Sequence, residues 1–326
     1  MRRLSLCLAA VVGAAVLAPA ALADGPVYVS QGGVGVASHN GAFHYVAVPI
    51  GRNGTLLEKI EVAHGQLFWW KQLPGSWGIA TIGNGYLTGQ GLSRDGRTLV
   101  LASMSAQMGP YASPSRFLVV DPRTLKVVRK ISLDGSFSFD ALSPDASRMY
   151  LIQYTHASPG NLSHYIVRDY DMRTNRLLPG KIADRSEHEK TMAGSAMSRT
   201  TSADGRWVYT LYQKPSGEPF VHALDTVGAA AYCIDLPKNQ ALYNIVLSLR
   251  DRGRTLAARW RTGRPWLNVA TGSWDISYPR AGGFPWKWVG AGIGGGLVLL
   301  SAGALLLRRR RGEEVEEHTR QELGLA

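Results

Sequence analysis

The sequence predicts an all-β protein, a β-propeller of four-stranded blades, followed by one C-terminal transmembrane helix. Three observations support this: a turn motif that recurs along the chain, apolar runs of strand length after the turns, and a composition rich in turn-forming residues. The chain has 326 residues, with 37 Gly and 16 Pro, and only 18% of its residues are charged. Such a composition is typical of turn-rich β domains.

The recurring motif joins a short turn to an apolar run, as in Leu92-Ser-Arg-Asp-Gly and Leu142-Ser-Pro-Asp-Ala. Asp or Asn followed by Gly accepts a positive φ and caps its own turn through a side-chain hydrogen bond. The consecutive apolar residues that follow indicate strands buried on both faces. Successive turns are 55, 50, 59 and 47 residues apart, at Asn40, Asp95, Asp145, Asp204 and Asp251.

A second strand-and-turn element follows the first within each unit. Asp121 lies 26 residues after Asp95, and Asp171 lies 26 residues after Asp145. Each unit therefore holds about four short strands, which is the content of a propeller blade. The count predicts five blades. Six is the alternative, if residues 45–90 hold an additional, degenerate unit.

These motifs resemble a known repeat. The pattern Ser-x-Asp-Gly-x-x-Leu-x-x-Ala, followed by Val-x-Asp-x-x-Thr-x-x-Val-Val, resembles the bacterial YVTN-type β-propeller repeat, which is similar to surface-layer and lactonase-like propellers. The resemblance covers about residues 30–280 and is strongest at 92–135 and 142–178. No copy carries the literal Tyr-Val-Thr-Asn. The resemblance implies a fold and says little about activity, because propellers host unrelated functions.

The N-terminal segment indicates a secretory leader. Arg2 and Arg3 precede an apolar run, and Ala21-Leu22-Ala23 supplies the small residues that a signal peptidase accepts. We therefore expect residues 1–23 to be a signal peptide and residues 24–280 to form the extracytoplasmic propeller. Cys7 would leave with the leader, so Cys233 could form no disulfide within the chain. Its apolar surroundings predict a small buried hydrophobe.

The C-terminal segment indicates a single membrane span. Residues 289–307, from Val289 to Leu307, carry no charge and would span about 28 Å as a helix, which matches the bilayer core. By the positive-inside rule the basic block after them is cytoplasmic. We therefore expect a juxtamembrane linker at 281–288, a cytoplasmic tail at 308–326, and a single-pass protein in the cell membrane. The basic block is Arg308, Arg309, Arg310 and Arg311.

The net charge of the external domain limits the classes of partner that we expect for this protein. The formal net charge is +12, and the leader and the balanced tail leave about +10 for the external domain. Such a domain should be drawn to anionic headgroups or wall polymers. The expected partners are membrane lipid through the C-terminal helix and a protein or wall polymer. Nucleic acid is excluded, because the compartment is wrong and the sequence has no basic helix or stripe. The oligomeric state stays open.

The candidate binding residues form two groups. Asp140, Arg199 and Asn244 fall near the predicted innermost strands, where they could face a central channel. Because only one of them is an acid, a calcium site like that of a lactonase is not expected. Glu187-His188-Glu189 is either a metal or substrate loop or a solvated insertion, and we favour the insertion. His39, His44 and His64 lack zinc-ligand spacing, so we predict no metal and no cofactor.

An aromatic cluster has two interpretations. Phe68, Trp69, Trp70 and Trp77 could stack on a sugar or a partner if they are exposed, or pack within a blade. We favour packing.

The leading functional hypothesis is a non-enzymatic binding or scaffold module for a protein, peptide or cell-wall ligand. It depends on the repeat, the two membrane signals and the lack of any recognisable catalytic motif. One alternative is a lactonase-like enzyme with its site in the central channel. The other is a structural protein that holds wall polymer near the membrane.

Overall fold

A computed structural model describes residues 28–32, 34–82, 88–104, 114–155, 164–186, 191–239 and 241–279. These residues form β-strands and two short 3-10 turns, at Leu242–Asn244 and Asp251–Gly253. Within them, no helix combines the length and the apolar character needed to cross a bilayer. The predicted leader, the predicted span at 289–307 and the tail lie outside the described residues.

The described strands form five antiparallel sheets in chain order, which we call blades I to V. Blade I contains β2 (Val36–Ala37), β3 (Phe43–Ile50), β4 (Gly54–Glu61) and β5 (Gln66–Pro74). Blade II contains β6 (Trp77–Ile82), β7 (Thr88–Gly89), β8 (Leu99–Ser103), β9 (Ser115–Asp121) and β10 (Lys126–Leu133). Blade III contains β11 (Phe137–Leu142), β12 (Arg148–Tyr154), β13 (Tyr165–Asp171) and β14 (Arg176–Leu177). Blade IV contains β15 (Ser195–Thr201), β16 (Trp207–Gln213), β17 (Pro219–Asp225) and β18 (Ala230–Asp235). Blade V contains β19 (Ile245–Arg250), β20 (Thr255–Trp260), β21 (Pro265–Ala270) and β22 (Ile276–Ser277).

The all-β prediction and the four-stranded unit are confirmed. Each of the five predicted turns connects the first long segment of a blade to its second, and residues 45–90 contribute strands to blades I and II. The described residues therefore give five blades, and the six-blade alternative is wrong. Blade II has an addition that the repeat did not predict. The N-terminal strand β1 (Tyr28–Ser30) pairs with β6 on the edge away from β8.

The first strands of the blades meet at the centre of the domain. β15 contacts both β19 and β6, and β2 contacts β7. Three hydrophobic clusters join neighbouring blades: one spans blades I and II, one spans blades II to IV, and one spans blades IV and V. Strands buried on both faces build these clusters, as the apolar runs predicted. In β8, for example, all five residues are buried.

Blades I to IV share one turn geometry, in which a serine precedes the Asp or Asn by two residues. The serine Oγ donates to the Asx Oδ1 at 2.5–2.8 Å and accepts the backbone N–H five residues ahead at 2.8–3.0 Å. The residue after each Asx has a φ of 53–77°, which explains the preference for Gly there. In blade V, Leu249 replaces the serine, and Asp251 instead accepts a hydrogen bond from Thr255 Oγ1 at 2.7 Å.

This turn geometry predicts a measurable cost for losing its serine. Ser143 is buried, donates to Asp145 and accepts from the Arg148 N–H. Ser143→Ala leaves that amide without its partner, so we expect the free energy of unfolding to fall by about 1–2 kcal/mol. Chemical denaturation of the full chain measures this loss, with exposed Ser132→Ala as the control. Equal midpoints for the two variants would contradict the structural role of the turn.

Candidate functional site

A cavity of about 660 Å³ opens where the first strands of blades I to IV end. We call it the axial pocket. Its wall is made by the ends of β2, β7, β11 and β15 and by the turns that follow them. The turns also touch one another: the Asp95 N–H donates to the Pro144 carbonyl at 3.3 Å. A Cβ built on Gly205 would lie 2.9 Å from Arg94 Cβ, so the turns of blades II and IV approach closely.

Three residues that line the axial pocket come from one position of the repeated turn. In the Ser-x-Asx motif, the middle residue is His39 in blade I, Arg94 in blade II and Ala203 in blade IV, and all three line the pocket. His44, on β3, completes the basic lining. The sequence analysis missed Arg94 and considered His39 and His44 only as zinc ligands. Aligning the middle residues of the turns would have revealed that two of the four are basic.

The acidic residues of the same turns point into their own backbone. Asp95 accepts from Ser93 Oγ at 2.6 Å and from the Arg97 N–H at 3.0 Å. Asp204 does the same with Ser202 Oγ and the Arg206 N–H, and these bonds lower its pKa. The Asp204 carboxylate therefore remains ionised, and both carboxylates are hydrogen-bonded within their own turns. The titratable side chains that line the cavity are Arg94, His39 and His44, which favours an anionic ligand.

His39 forms a bridge between blades I and II at the rim. Its Nε2 lies 3.1 Å from the Ser93 carbonyl oxygen, and since a carbonyl can only accept, Nε2 carries the proton. Burial and the nearby Arg94 guanidinium lower the pKa of His39. The imidazole is therefore neutral at pH 7 and gains charge only in more acidic solution. An anion in the pocket would favour that protonation.

Two of the predicted channel residues, Asp140 and Arg199, form an ion pair with each other in the fold. Asp140 lies in β11 at a β-bulge, and Arg199 lies in β15. The guanidinium donates through Nη2 to Asp140 Oδ1, through Nη1 to the Asp140 carbonyl at 2.5 Å, and through Nε to Thr210 Oγ1 at 2.8 Å. Both side chains are only 2% exposed. This pair holds blade III to blade IV and is sealed from solvent.

The other predicted site residues do not join this pair. Asn244 ends the 3-10 turn before β19, and its carbonyl accepts the Arg261 N–H at 2.8 Å. In the described part of the chain, no hydrogen bond or ion pair connects Asn244 to Asp140 or Arg199. Glu187, His188 and Glu189 lie outside the described residues. Within the part of the chain that the structure describes, no group of three His, Cys, Asp or Glu side chains is arranged to hold a metal ion.

A second cavity, of about 400 Å³, lies beside β18 and is lined in part by Cys233, Asp184 and Lys214. Cys233 is half-buried, and its Sγ lies 3.9 Å from Nδ1 of buried His222. In the described chain, His222 Nε2 has no hydrogen-bond partner. An activated Cys–His pair needs a third group to orient the imidazole. The contact is therefore better explained as packing, although Cys233 is half-buried at a cavity and not fully buried as the sequence predicted.

The aromatic cluster divides into two parts. Trp77 is half-buried and packs in the cluster between blades I and II. Phe68, Trp69 and Trp70 are 56–57% exposed on β5, the outermost strand of blade I. The prediction that these three residues pack within a blade was therefore wrong. They lie on the unpaired edge of the sheet, where no neighbouring strand covers them in the described structure.

Comparison with known proteins gives fold-level likenesses. No protein-family profile matches the chain, and no curated protein matches it. Among solved structures, Kuenenia stuttgartiensis hydrazine synthase is 16% identical with a TM-score of 0.45, covering 73% of this chain and 64% of that one. The β-propeller domain of Myceliophteria thermophila Cps50 is 13% identical with a TM-score of 0.40, covering 73% and 65%. A 6-phosphogluconolactonase-like protein from Bacteroides uniformis is 12% identical with a TM-score of 0.40, covering 77% and 86%. The chain spans less than two thirds of the first two structures.

Proposed function

We propose that this protein is a non-enzymatic binding module, a YVTN-type propeller tethered on the outer side of the cytoplasmic membrane through residues 289–307. Its axial pocket would bind an anionic group of a protein, a peptide or a wall polymer. One observation carries the proposal: the turns around the pocket present Arg94 and His39 to the cavity, and β3 presents His44, while the carboxylates of the turns are hydrogen-bonded within them. The basic balance of the external domain supports the same ligand class.

The alternative of a central-channel enzyme has less support. Its one predicted acid, Asp140, is buried against Arg199 and hydrogen-bonded to it. A carboxylate held in this way can neither reach a ligand nor exchange protons with solvent without breaking the ion pair. A binding role needs no accessible carboxylate, because the pocket already presents hydrogen-bond donors to an anion. The experiment below separates the two.

The test measures the affinity of the full chain in detergent for two anionic probes, poly-glutamate and inorganic polyphosphate. Arg94→Gln should weaken binding by about tenfold or more, since it removes a charge-assisted hydrogen bond. Arg97→Gln is the matched control, because Arg97 is an exposed cation of the same turn that does not line the pocket. Binding should also strengthen in acidic solution, because protonation of His39, whose pKa is lowered from the ordinary value, then adds positive charge.

Three results would contradict the proposal. Equal losses for Arg94→Gln and Arg97→Gln, with a steep and general salt dependence, would favour a structural wall-polymer protein. Probe turnover that a chelator abolishes would favour an enzyme. Absence of binding to either anionic probe would remove the axial pocket from consideration.

A further inference from the structure

The outermost strands of the blades differ in how they protect their edges. An unpaired edge invites another strand, and proteins usually guard it with charge or by keeping the strand short. β14 and β22 contain only two residues each. β10 carries three cations and β18 ends at an acid; these residues are Lys126, Arg129, Lys130 and Asp235. In the described sheets, four of the five outer edges are therefore guarded.

The edge of blade I lacks this protection over its first five residues, and the one charged residue of its outer strand is Lys71, the sixth residue of β5. β5 is nine residues long, and the segment from Gln66 to Trp70 is exposed and carries no charge. Phe68 lies at a bulge, where the register with β4 skips it, and its ring packs 5.1 Å from Phe43. Trp69 and Trp70 are consecutive, so they project from opposite faces of the sheet. The exposed side chains of this segment are thus apolar on both faces, and the Lys59 ammonium, 5.1 Å from the centroid of the Phe68 ring, helps to hold that ring in place.

We propose that β5 is a self-association edge, which pairs antiparallel with β5 of a second copy of this chain about a two-fold axis. A strand added here must present apolar side chains on both faces, and β5 is itself such a strand. Because Gln66–Trp70 has no charge, two copies can approach there despite the net charge of +12 on each chain. Two-fold pairing centred on Trp69 brings Trp69 against its own copy and Phe68 against Trp70, and such aromatic pairs stabilise antiparallel sheets.

The area agrees with a reversible dimer. The exposed parts of the three aromatic side chains and Leu67 amount to roughly 400 Å² in each copy, on typical side-chain areas. Pairing two copies through these side chains and the strand backbone would bury roughly 1,000 Å², at the lower limit for specific interfaces. A patch of roughly 400 Å² matches the size of the largest apolar patch on a typical monomer, and such patches often have a function.

Glycan stacking is disfavoured as a role for this edge, since the indoles of Trp69 and Trp70 project from opposite faces of the sheet. A lipid surface is the alternative that the second test below distinguishes.

The first test measures the mass of the detergent-solubilised full chain by sedimentation over a range of concentrations. We expect a concentration-dependent dimer, with Trp69→Glu and Trp70→Glu each raising the dissociation constant more than tenfold. Val128→Glu is the matched control, because Val128 is 64% exposed on the guarded outer strand β10. Unchanged circular dichroism confirms that the variants are folded. A monomeric wild type, or variants within twofold of it, would overturn the proposal.

The second test avoids detergent and uses disulfide cross-linking in membranes. Single cysteines are placed at each position from Leu67 to Gln72, since any antiparallel self-pairing centred there brings one position next to its own copy. We expect a covalent dimer from at least one position and none from Val128→Cys or from the wild type, whose Cys233 is the background. No cross-link at any position overturns the proposal. A blue shift of tryptophan emission with anionic vesicles, without cross-linking, would assign the edge to lipid instead.

Discussion

Arg199→Met is expected to lower the free energy of unfolding by about 3–5 kcal/mol at pH 7, because it leaves the Asp140 carboxylate buried without its partner. Asp140 and Arg199 are each 2% exposed, and Arg199 also bonds the carbonyl at the Asp140 bulge and Thr210 Oγ1. The loss should be smaller in acid, since an isolated buried carboxyl is protonated more easily. Chemical denaturation of the full chain, followed by far-UV circular dichroism, measures the effect.

Two further variants make this prediction specific. Asp140→Leu combined with Arg199→Met should recover most of the loss, because no unpaired charge remains inside. Arg206→Met is the matched control: Arg206 pairs with Asp225 at 2.7 Å in the same blade, but its side chain is 48% exposed. For Arg206→Met we expect the free energy of unfolding to fall by less than about 1 kcal/mol. Equal losses of unfolding free energy for Arg199→Met and Arg206→Met would show that the buried Asp140–Arg199 pair is no more important for stability than the exposed pair.

His222→Phe should change how stability depends on pH. His222 is buried, and burial lowers its pKa to about 4. The unfolded chain therefore takes up a proton as pH falls below about 6.5, whereas the folded chain does so only near pH 4. This difference in pKa favours the unfolded state in acid. Between pH 8 and pH 5, the free energy of unfolding of the wild type should therefore fall by on the order of 2 kcal/mol because of His222. The phenylalanine variant should not suffer that loss.

The comparison is between two pH profiles of the denaturation midpoint, one for the wild type and one for His222→Phe. Phenylalanine also removes Nε2, a buried nitrogen that has no hydrogen-bond partner in the described chain, so the variant should fold without a large penalty. His64→Phe shares the substitution but not the burial, since His64 is on the surface beside Glu61. Parallel profiles for the wild type and His222→Phe would show that His222 is protonated alike in the two states.

The fold was largely predictable, because its signals are local. Asx residues at Asn40, Asp95, Asp145 and Asp204 determine the turns through hydrogen bonds that span at most five residues. The apolar runs after them are buried on both faces in the structure, as in β8. By contrast, the pairing of β1 with β6 joins segments about 50 residues apart and has no counterpart in the repeat.

The site was only partly predictable, because it depends on which side chains meet across blades. Asp140 and Arg199 were correctly placed on innermost strands, but the sequence did not show that they would neutralise each other. The basic lining at His39 and Arg94 became visible only once the middle position of each turn was found to face the cavity. The predictions for Glu187, His188 and Glu189, and for the membrane anchor, stay predictions.

The sequence by itself determined the all-β class, the four-stranded unit and the geometry of the turns, because these follow from short-range hydrogen bonding and from strand periodicity. It also supplied the expectation of a leader and a membrane span, which depends on apolar length and on the charged and small residues that flank each apolar run. The tertiary structure decided which polar groups are sealed, which face a cavity and which strand edge stays open. Burial and pairing of that kind depend on residues 50 or more positions apart, such as Asp140 and Arg199. No local pattern encodes contacts between blades.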